Sequence, residues 1–199
     1  MAVWTSLADK ARIEAENPWP EAQPATTIYE MLTQTATKFP NRDAVTFQLQ
    51  SGPSDPAETL SWGQFHGQVT QAANLFRSLG VGPDDVVAYI LPNAMETAVT
   101  LLGATVAGIA NPINPLLDEE QIGSILRETN AKVVVTLKAF PKTDVPQKAA
   151  AAVALAPNVQ TVIEVDLLRY MTGLKKLIVP LIRPKNPVVH KARVIDFGK

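Results

Sequence analysis

The hydrophobic pattern divides the chain near residue 60. Before it, apolar positions are sparse. After it, short apolar runs with strand character alternate with segments of helical spacing. Ile28, Met31, Leu32 and Thr35 recur at helical intervals, with Thr27 and Glu30 at the spacing of a capping box and Pro40 beyond as a stop. Ala44 to Leu49 alternates apolar and polar, as a half-buried strand does. The turn residues Ser51 to Pro56 follow, and Glu58-Thr59-Leu60 predicts the returning strand of a hairpin. Ser61 caps the next helix with Gln64 in the box position, and Phe65, Val69, Ala72, Ala73, Phe76 and Leu79 mark its buried face. Gly80 sits where a left-handed residue ends a helix.

Val86 to Leu91 is apolar throughout, the signature of a strand covered on both faces. Asn93 and Glu96 are read as the caps of a helix running through Leu101-Leu102 to about Ala107. Ile109 to Ile113 predicts a short extended segment. Asp118 and Gln121 open a helix carrying Ile122, Ile125 and Leu126. Lys132 to Thr136 predicts a strand, Lys148 to Ala156 an alanine-rich helix, and Val159 to Val165 a further strand. Leu167 to Ile182 has helical spacing interrupted at Pro180. The prolines of Asn17-Pro18-Trp19-Pro20 and Gln23-Pro24 hold their neighbours extended, so residues 1–25 are expected to form an extended arm ahead of an α/β unit over 26–199. Alternation with short connections implies a mostly parallel sheet flanked by helices, with an antiparallel hairpin near the N-terminus added at one edge.

Composition narrows this picture only a little. With 199 residues, the chain is long enough for one domain with a real core. A formal net charge of -1 gives no bulk attraction to nucleic acid, and none is expected as a partner. Cysteine is absent, which excludes disulfides, thiolate catalysis and cysteine-ligated metals. The N-terminus lacks the basic start and apolar run of a signal peptide, and no stretch approaches the roughly 18 apolar residues of a membrane span. A cytoplasmic location is expected.

Candidate chemistry is thin. Gly80-Val81-Gly82 begins like a dinucleotide fingerprint, but Asp85 stands where a further glycine belongs, and the stretch follows a helix where a strand is required. It is read as a helix end plus turn. The sequence contains neither a Walker loop nor a Gly-x-Ser-x-Gly elbow. His66 and His190 are far apart and form no metal-ligand spacing; His66 is read as a structural histidine. The acidic run Asp118-Glu119-Glu120 is explained by the dipole of a helix start, and Asp84-Asp85 by a turn before a strand. No catalytic, cofactor-binding or metal-ligating residue is assigned.

The order of several motifs nevertheless resembles one family. Thr27 to Leu32 followed by Phe39 to Val45 is similar to the opening helix and first strand of the adenylate-forming (AMP-binding) enzymes. Leu60-Ser61-Trp62-Gly63-Gln64-Phe65 resembles their Leu-Thr/Ser-Tyr-x-Glu-Leu motif, with Trp62, Gln64 and Phe65 departing from it. Gln64 still keeps the capping box. Gly80 to Val87 is similar to Gly-Val-x-x-Gly-Asp-x-Val. Leu91-Pro92-Asn93 with Glu96 matches Leu-Pro-Asn-x-x-Glu, and Ala107 to Pro115 resembles Ala-Gly-Ala-x-x-x-Pro-Ile-Asn-Pro. Each motif is weak alone; their order over residues 25–137 is specific.

The resemblance implies the N-terminal subdomain of a longer acyl-CoA synthetase, with the ATP-binding part and C-terminal domain missing. The parent would be an AMP-forming acid–CoA ligase using ATP, Mg²⁺ and CoA. It would form an acyl-adenylate and then a thioester, and it would be directed to fatty or other acyl acids. The proline-containing arm and the long 138–195 stretch favour that acid class over amino acids. The chain itself would bind no cofactor and be inactive alone. Its expected partners are the remainder of the parent chain and a second copy. Residues 167–185, basic and amphipathic, would supply weak peripheral contact with an anionic membrane. A non-catalytic binding module with the same fold is the alternative.

Overall fold

The computed structural model describes residues 6–18, 25–50, 52, 55–172, 178, 179, 181, 182 and 188–197. Its order is α1 (Leu7–Glu16), α2 (Ile28–Lys38), β1 (Asp43–Phe47), β2 (Glu58–Ser61), α3 (Trp62–Ser78), β3 (Val86–Ile90), α4 (Met95–Ala107), β4 (Ile109–Pro112), α5 (Glu119–Glu128), β5 (Ala131–Leu137), α6 (Val145–Leu155), β6 (Thr161–Val165), a 3₁₀ turn (Leu167–Tyr170) and β7 (Arg193–Asp196).

Five strands form one parallel sheet in the order β4-β3-β5-β6-β7. The chain steps outward from β3 to β4, then returns past β3 to β5. Right-handed crossovers therefore put α4 and α5 on opposite faces. α3 packs on α4, and α6 packs on α5, so each face carries a helix pair. Strands buried on both sides need apolar residues at successive positions. Val86 to Ile90 and Val133 to Leu137 meet this demand: every one of those residues is buried, Thr136 alone being polar. Phe76 and Met95 in one helix pair, and Ile122 and Leu126 in the other, are buried in the same core.

Local chemistry sets the element ends. Ser61 Oγ accepts from Gln64 N–H while Gln64 Oε1 accepts from Ser61 N–H, a complete capping box at the start of α3. Asp118 and Gln121 repeat it at α5. Gly80 adopts φ +82° after α3, a conformation that a Cβ would strain. Gly103 serves a different need. A Cβ on it would lie 2.7 Å from Ala72 Cβ, so its bareness lets α3 and α4 approach closely.

The structure corrects the sequence reading in five places. Residues 1–25 are not simply an extended arm, because Leu7–Glu16 is helical. Ser6 caps it, and it carries Lys10–Glu14 and Arg12–Glu16 pairs, both at 3.1 Å, but no buried residue. The hairpin does not extend the parallel sheet; β1 and β2 form a sheet of their own. Ser61 is both the end of β2 and the cap of α3, and Trp62 N–H and Gly63 N–H donate to Arg42 and Pro40 carbonyls. Those bonds tie the hairpin to the helix layer.

Asn93 does not cap α4. Its N-cap is Ala94, without a side-chain bond, and Glu96 is buried and paired elsewhere. A helix does not run on from Leu167: after one 3₁₀ turn, Met171 is extended. Of the later residues of that stretch, 178, 179, 181 and 182 are helical, and 173–177, 180 and 183–187 lie outside the described residues. Finally, β7 was not anticipated, although Arg193 to Asp196 pairs in register with Thr161 to Glu164.

Candidate ligand cleft at the carboxyl edge of the sheet

In open parallel sheets, ligands settle outside the carboxyl ends of the strands, where the strand order reverses. Here the reversal falls between β3 and β5. The helix that begins there is α4, whose free N–H groups and dipole would suit an anion. Its first turn already holds one, the buried carboxylate of Glu96.

Glu96 is the centre of a network joining three parts of the chain. Tyr170 O–H donates to its Oε2 at 2.7 Å, and Arg169 Nε lies 3.1 Å from its Oε1. Another guanidinium nitrogen of Arg169 pairs with Glu58 of β2. Arg169 also lies 4.6 Å over the Tyr170 ring, and Tyr170 meets Phe47 edge-on at 4.8 Å. Burial opposes the Arg169 charge, but attraction to Glu96 and Glu58 outweighs it and holds the guanidinium pKa above its ordinary value. Burial first, and then the bond to Glu96, push the Tyr170 phenol far above its ordinary range, so it acts as a fixed donor.

Beside this network lies a cleft of about 360 Å³, lined by Gln68, Gln71, Ala72 and Leu75 of α3, Val99 of α4, Arg169 and Phe197. Ala72, Leu75, Val99 and Phe197 are its apolar lining, and its polar side chains are two amides and a guanidinium already shared between two carboxylates. A site of this kind can seat an apolar body with a hydrogen-bonding rim. Among its described lining residues, no nucleophile stands beside a base.

Along the same edge, Lys138 Nζ meets Asp196 Oδ1 at 3.0 Å, joining the ends of β5 and β7 across β6. His190, buried, has Nε2 3.4 Å from Glu164 Oε1 of β6, without hydrogen-bond geometry.

The residues singled out from sequence fall as follows. His66 Nε2 contacts Thr33 Oγ1 at 3.1 Å and its ring stacks on Tyr29, tying α2 to α3 as a structural histidine does. His190 lies at the other end of the chain from it, beside β6. Asp118, Glu119 and Glu120 occupy the start of α5. Gly82 N–H donates to Asp85 Oδ2 at 2.8 Å, closing the turn before β3. Arg169 and Tyr170 were missed as network residues because the 3.6-residue period through Leu167 absorbed them into a helix. The signal for Glu96 was present in Leu-Pro-Asn-x-x-Glu, but it was read as a cap.

The cofactors implied by the resemblance can be tested against this geometry. Among the described residues, no group of three His, Cys, Asp or Glu could hold a metal ion. The closely spaced glycines Gly80 and Gly82 end a helix and close a turn, leaving no cradle for phosphates. The Gly80 and Gly82 N–H groups are both taken by acceptors of the chain itself, the Arg77 carbonyl and Asp85 Oδ2.

Fold and motif order are those of one enzyme class. Residues 32–186 match the family described as AMP-binding enzyme, and the chain belongs to that family. It is 31% identical over 176 residues to the marinolic acid–CoA ligase of Pseudoalteromonas sp. (strain SANK 73390), covering 86% of this chain and 27% of that protein. It is also 31% identical over 185 residues to the long-chain-fatty-acid–CoA ligase of Bacillus subtilis (strain 168), covering 88% of this chain and 28% of the relative. Among solved structures, a Mycobacterium tuberculosis fatty acyl CoA synthetase superposes with a TM-score of 0.56 at 29% identity, over 69% of this chain and 26% of its own. An anthranilate CoA ligase in complex with anthranoyl-AMP shares the fold at a TM-score of 0.58 and 18% identity, over 83% of this chain and 29% of its own. The chain thus spans little more than a quarter of the length of each of these four proteins. Among the described residues, no helix is long and apolar enough to cross a membrane.

Proposed function

We propose that this chain is the N-terminal packing subdomain of an AMP-forming acyl-CoA synthetase that acts on fatty or related acyl acids. One observation carries the reading. A match to the AMP-binding enzymes runs through residues 32–186, yet the chain spans only 27% of the first relative's length, and its closely spaced Gly80 and Gly82 build a helix end and a turn rather than a phosphate cradle. In this reading the parallel sheet is a wall. It supports an active site whose phosphate-binding loop, adenine contacts and catalytic lysine belong to further sequence.

The chemistry of the parent follows from that assignment. A carboxylate attacks the α-phosphate of ATP, pyrophosphate leaves, and the CoA thiol then displaces AMP. Charge builds on phosphate oxygens, so preorganised donors and Mg²⁺ are needed there. The isolated chain supplies neither and is inactive. The names of the Bacillus subtilis and Mycobacterium tuberculosis relatives favour a fatty acid as the substrate. A cytoplasmic location suits an enzyme that draws on ATP and CoA. Its partners are the remainder of the parent chain and, for the isolated chain, a second copy.

Reading the gene beyond Lys199 tests this directly. A Ser/Thr/Gly-rich loop ending in Pro-Lys-Gly within a few tens of residues is the expected result. A stop codon immediately after Lys199 overturns it and leaves a non-catalytic module of the same fold.

A further inference from the structure

The cleft beside the Glu96 network has hydrogen-bonding capacity that the fold does not use. Gln68, Gln71, Ala72 and Leu75 stand three and four residues apart, so α3 turns one face into it. Neither Gln68 nor Gln71 has a side-chain partner among the described residues. Each amide therefore keeps two N–H donors and a carbonyl acceptor. Arg169 adds a third group. One of its guanidinium nitrogens pairs with Glu58 and its Nε lies 3.1 Å from Glu96. The N–H groups of Nη1 have no acceptor among the described residues.

Charge decides what those donors would take. Glu58 and Glu96 set two carboxylates around the single guanidinium, so the rim has no positive charge to spare. A carboxylate entering here would give up its water without a counter-charge in return. An ammonium group would meet the guanidinium and could accept from none of its donors. An uncharged amide suits both conditions. Its carbonyl accepts from Arg169 or a glutamine, and its N–H donates to a glutamine carbonyl. Size and shape point the same way. The cleft of about 360 Å³ is more than twice the roughly 150 Å³ that holds a benzene ring, so a bicyclic body fits. Phe197 offers such a body a ring to stack on.

We propose that this cleft binds an uncharged aromatic amide. The aromatic body lies against Ala72, Leu75, Val99 and Phe197, and the amide is held by Gln68, Gln71 and Arg169. Binding is non-covalent. The inference rests on the cleft alone and is independent of the ligase reading, so its test needs neither ATP nor CoA.

Indole-3-acetamide, indole-3-acetate and tryptamine share one aromatic body and differ in charge, being neutral, anionic and cationic near neutral pH. Each is titrated into the isotope-labelled chain and followed by its backbone amide shifts in NMR. The acetamide is expected to bind with a Kd on the order of 1 mM, as suits so small a ligand. Its shifts should centre on Gln68, Gln71, Leu75 and Phe197. The acetate and tryptamine should bind about fivefold or more weakly, the worth of one hydrogen bond. Gln68→Ala plus Gln71→Ala should weaken the acetamide by a similar factor. That variant should keep the wild-type thermal midpoint, because both side chains are at least partly exposed and have no described partner. If its midpoint falls instead, the ranking of the three ligands on the wild type decides alone. Four results overturn the proposal. The first is no saturable binding of the acetamide up to about 10 mM. The second is an acetate or tryptamine that binds as tightly as the acetamide. The third is a set of shifts that lies away from the cleft. The fourth is a folded double variant that binds like the wild type.

Discussion

The Tyr170 hydroxyl donates to Glu96 Oε2 at 2.7 Å, joining residues 74 apart in sequence and fixing the turn after β6 to the first turn of α4. The same carboxylate takes Arg169 on its other oxygen. Glu96 is buried, and these two partners are what its carboxylate oxygens meet. Removing one partner of a buried charge costs more than the pair contributes, since the remaining charge loses its compensation.

Arg169→Ala is therefore expected to destabilise the chain by about 1–3 kcal/mol; the half-exposed guanidinium keeps this below the full cost for a buried pair. Tyr170→Phe is expected to cost about 1–2 kcal/mol. Glu96→Leu combined with Arg169→Met should be less destabilising than Arg169→Ala alone. Urea unfolding of the variants decides it. A double variant worse than the single one would show that the pair itself, rather than compensation of Glu96, holds the turn.

Gly103 sets the distance between α3 and α4. Alanine in its place gains up to about 1 kcal/mol of helix propensity. Against that, its Cβ would sit 2.7 Å from Ala72 Cβ, and overpacking of this kind costs about 1–3 kcal/mol. The clash should win, so Gly103→Ala lowers the thermal midpoint. Ala72→Gly in the same chain should recover part of the loss. An additive decrease instead would mean that the two positions do not press on each other.

Asp85 ties the turn before β3 to β5. The Gly82 N–H foremost, and then the Lys132 side chain, hold its carboxyl pKa below the ordinary value. A depressed folded-state pKa gives stability that is present above the unfolded value of about 3.9 and lost as pH falls through the folded value. Asp85→Asn should thus be less stable than the wild type near pH 7, and the difference should shrink as the pH falls below the unfolded value and through the lower folded one. A difference that is constant with pH would show that the turn geometry, not the charge, carries the effect.

Much of this architecture was written in local signals. Ser61 with Gln64, Asp118 with Gln121, Gly80, and the apolar run from Val86 all depend on nearest neighbours, and each appears where its chemistry places it. What escaped depended on distant partners or on competing signals. α1 buries nothing, so no apolar stripe announces it, and the prolines that follow dominate the reading. Glu96 has the position and chemistry of a helix-start carboxylate; only Tyr170 and Arg169, more than 70 residues on, turn it into a structural centre. β7 is a strand because Thr161 to Glu164 offers it an edge, information that its own four residues lack. The cleft shares this origin, since α3, α4 and the ends of β6 and β7 meet there only after the sheet forms.

The central proposal is that this chain has the scaffold of an AMP-forming ligase and does not by itself adenylate an acid. Acid-dependent exchange of labelled pyrophosphate into ATP measures the adenylation step alone, without CoA. With the isolated chain, Mg²⁺ and a series of fatty acids, the account predicts exchange no faster than in a protein-free control. Saturable exchange that requires both the chain and an acid would contradict it, and would place an adenylating site among residues assigned here only to packing.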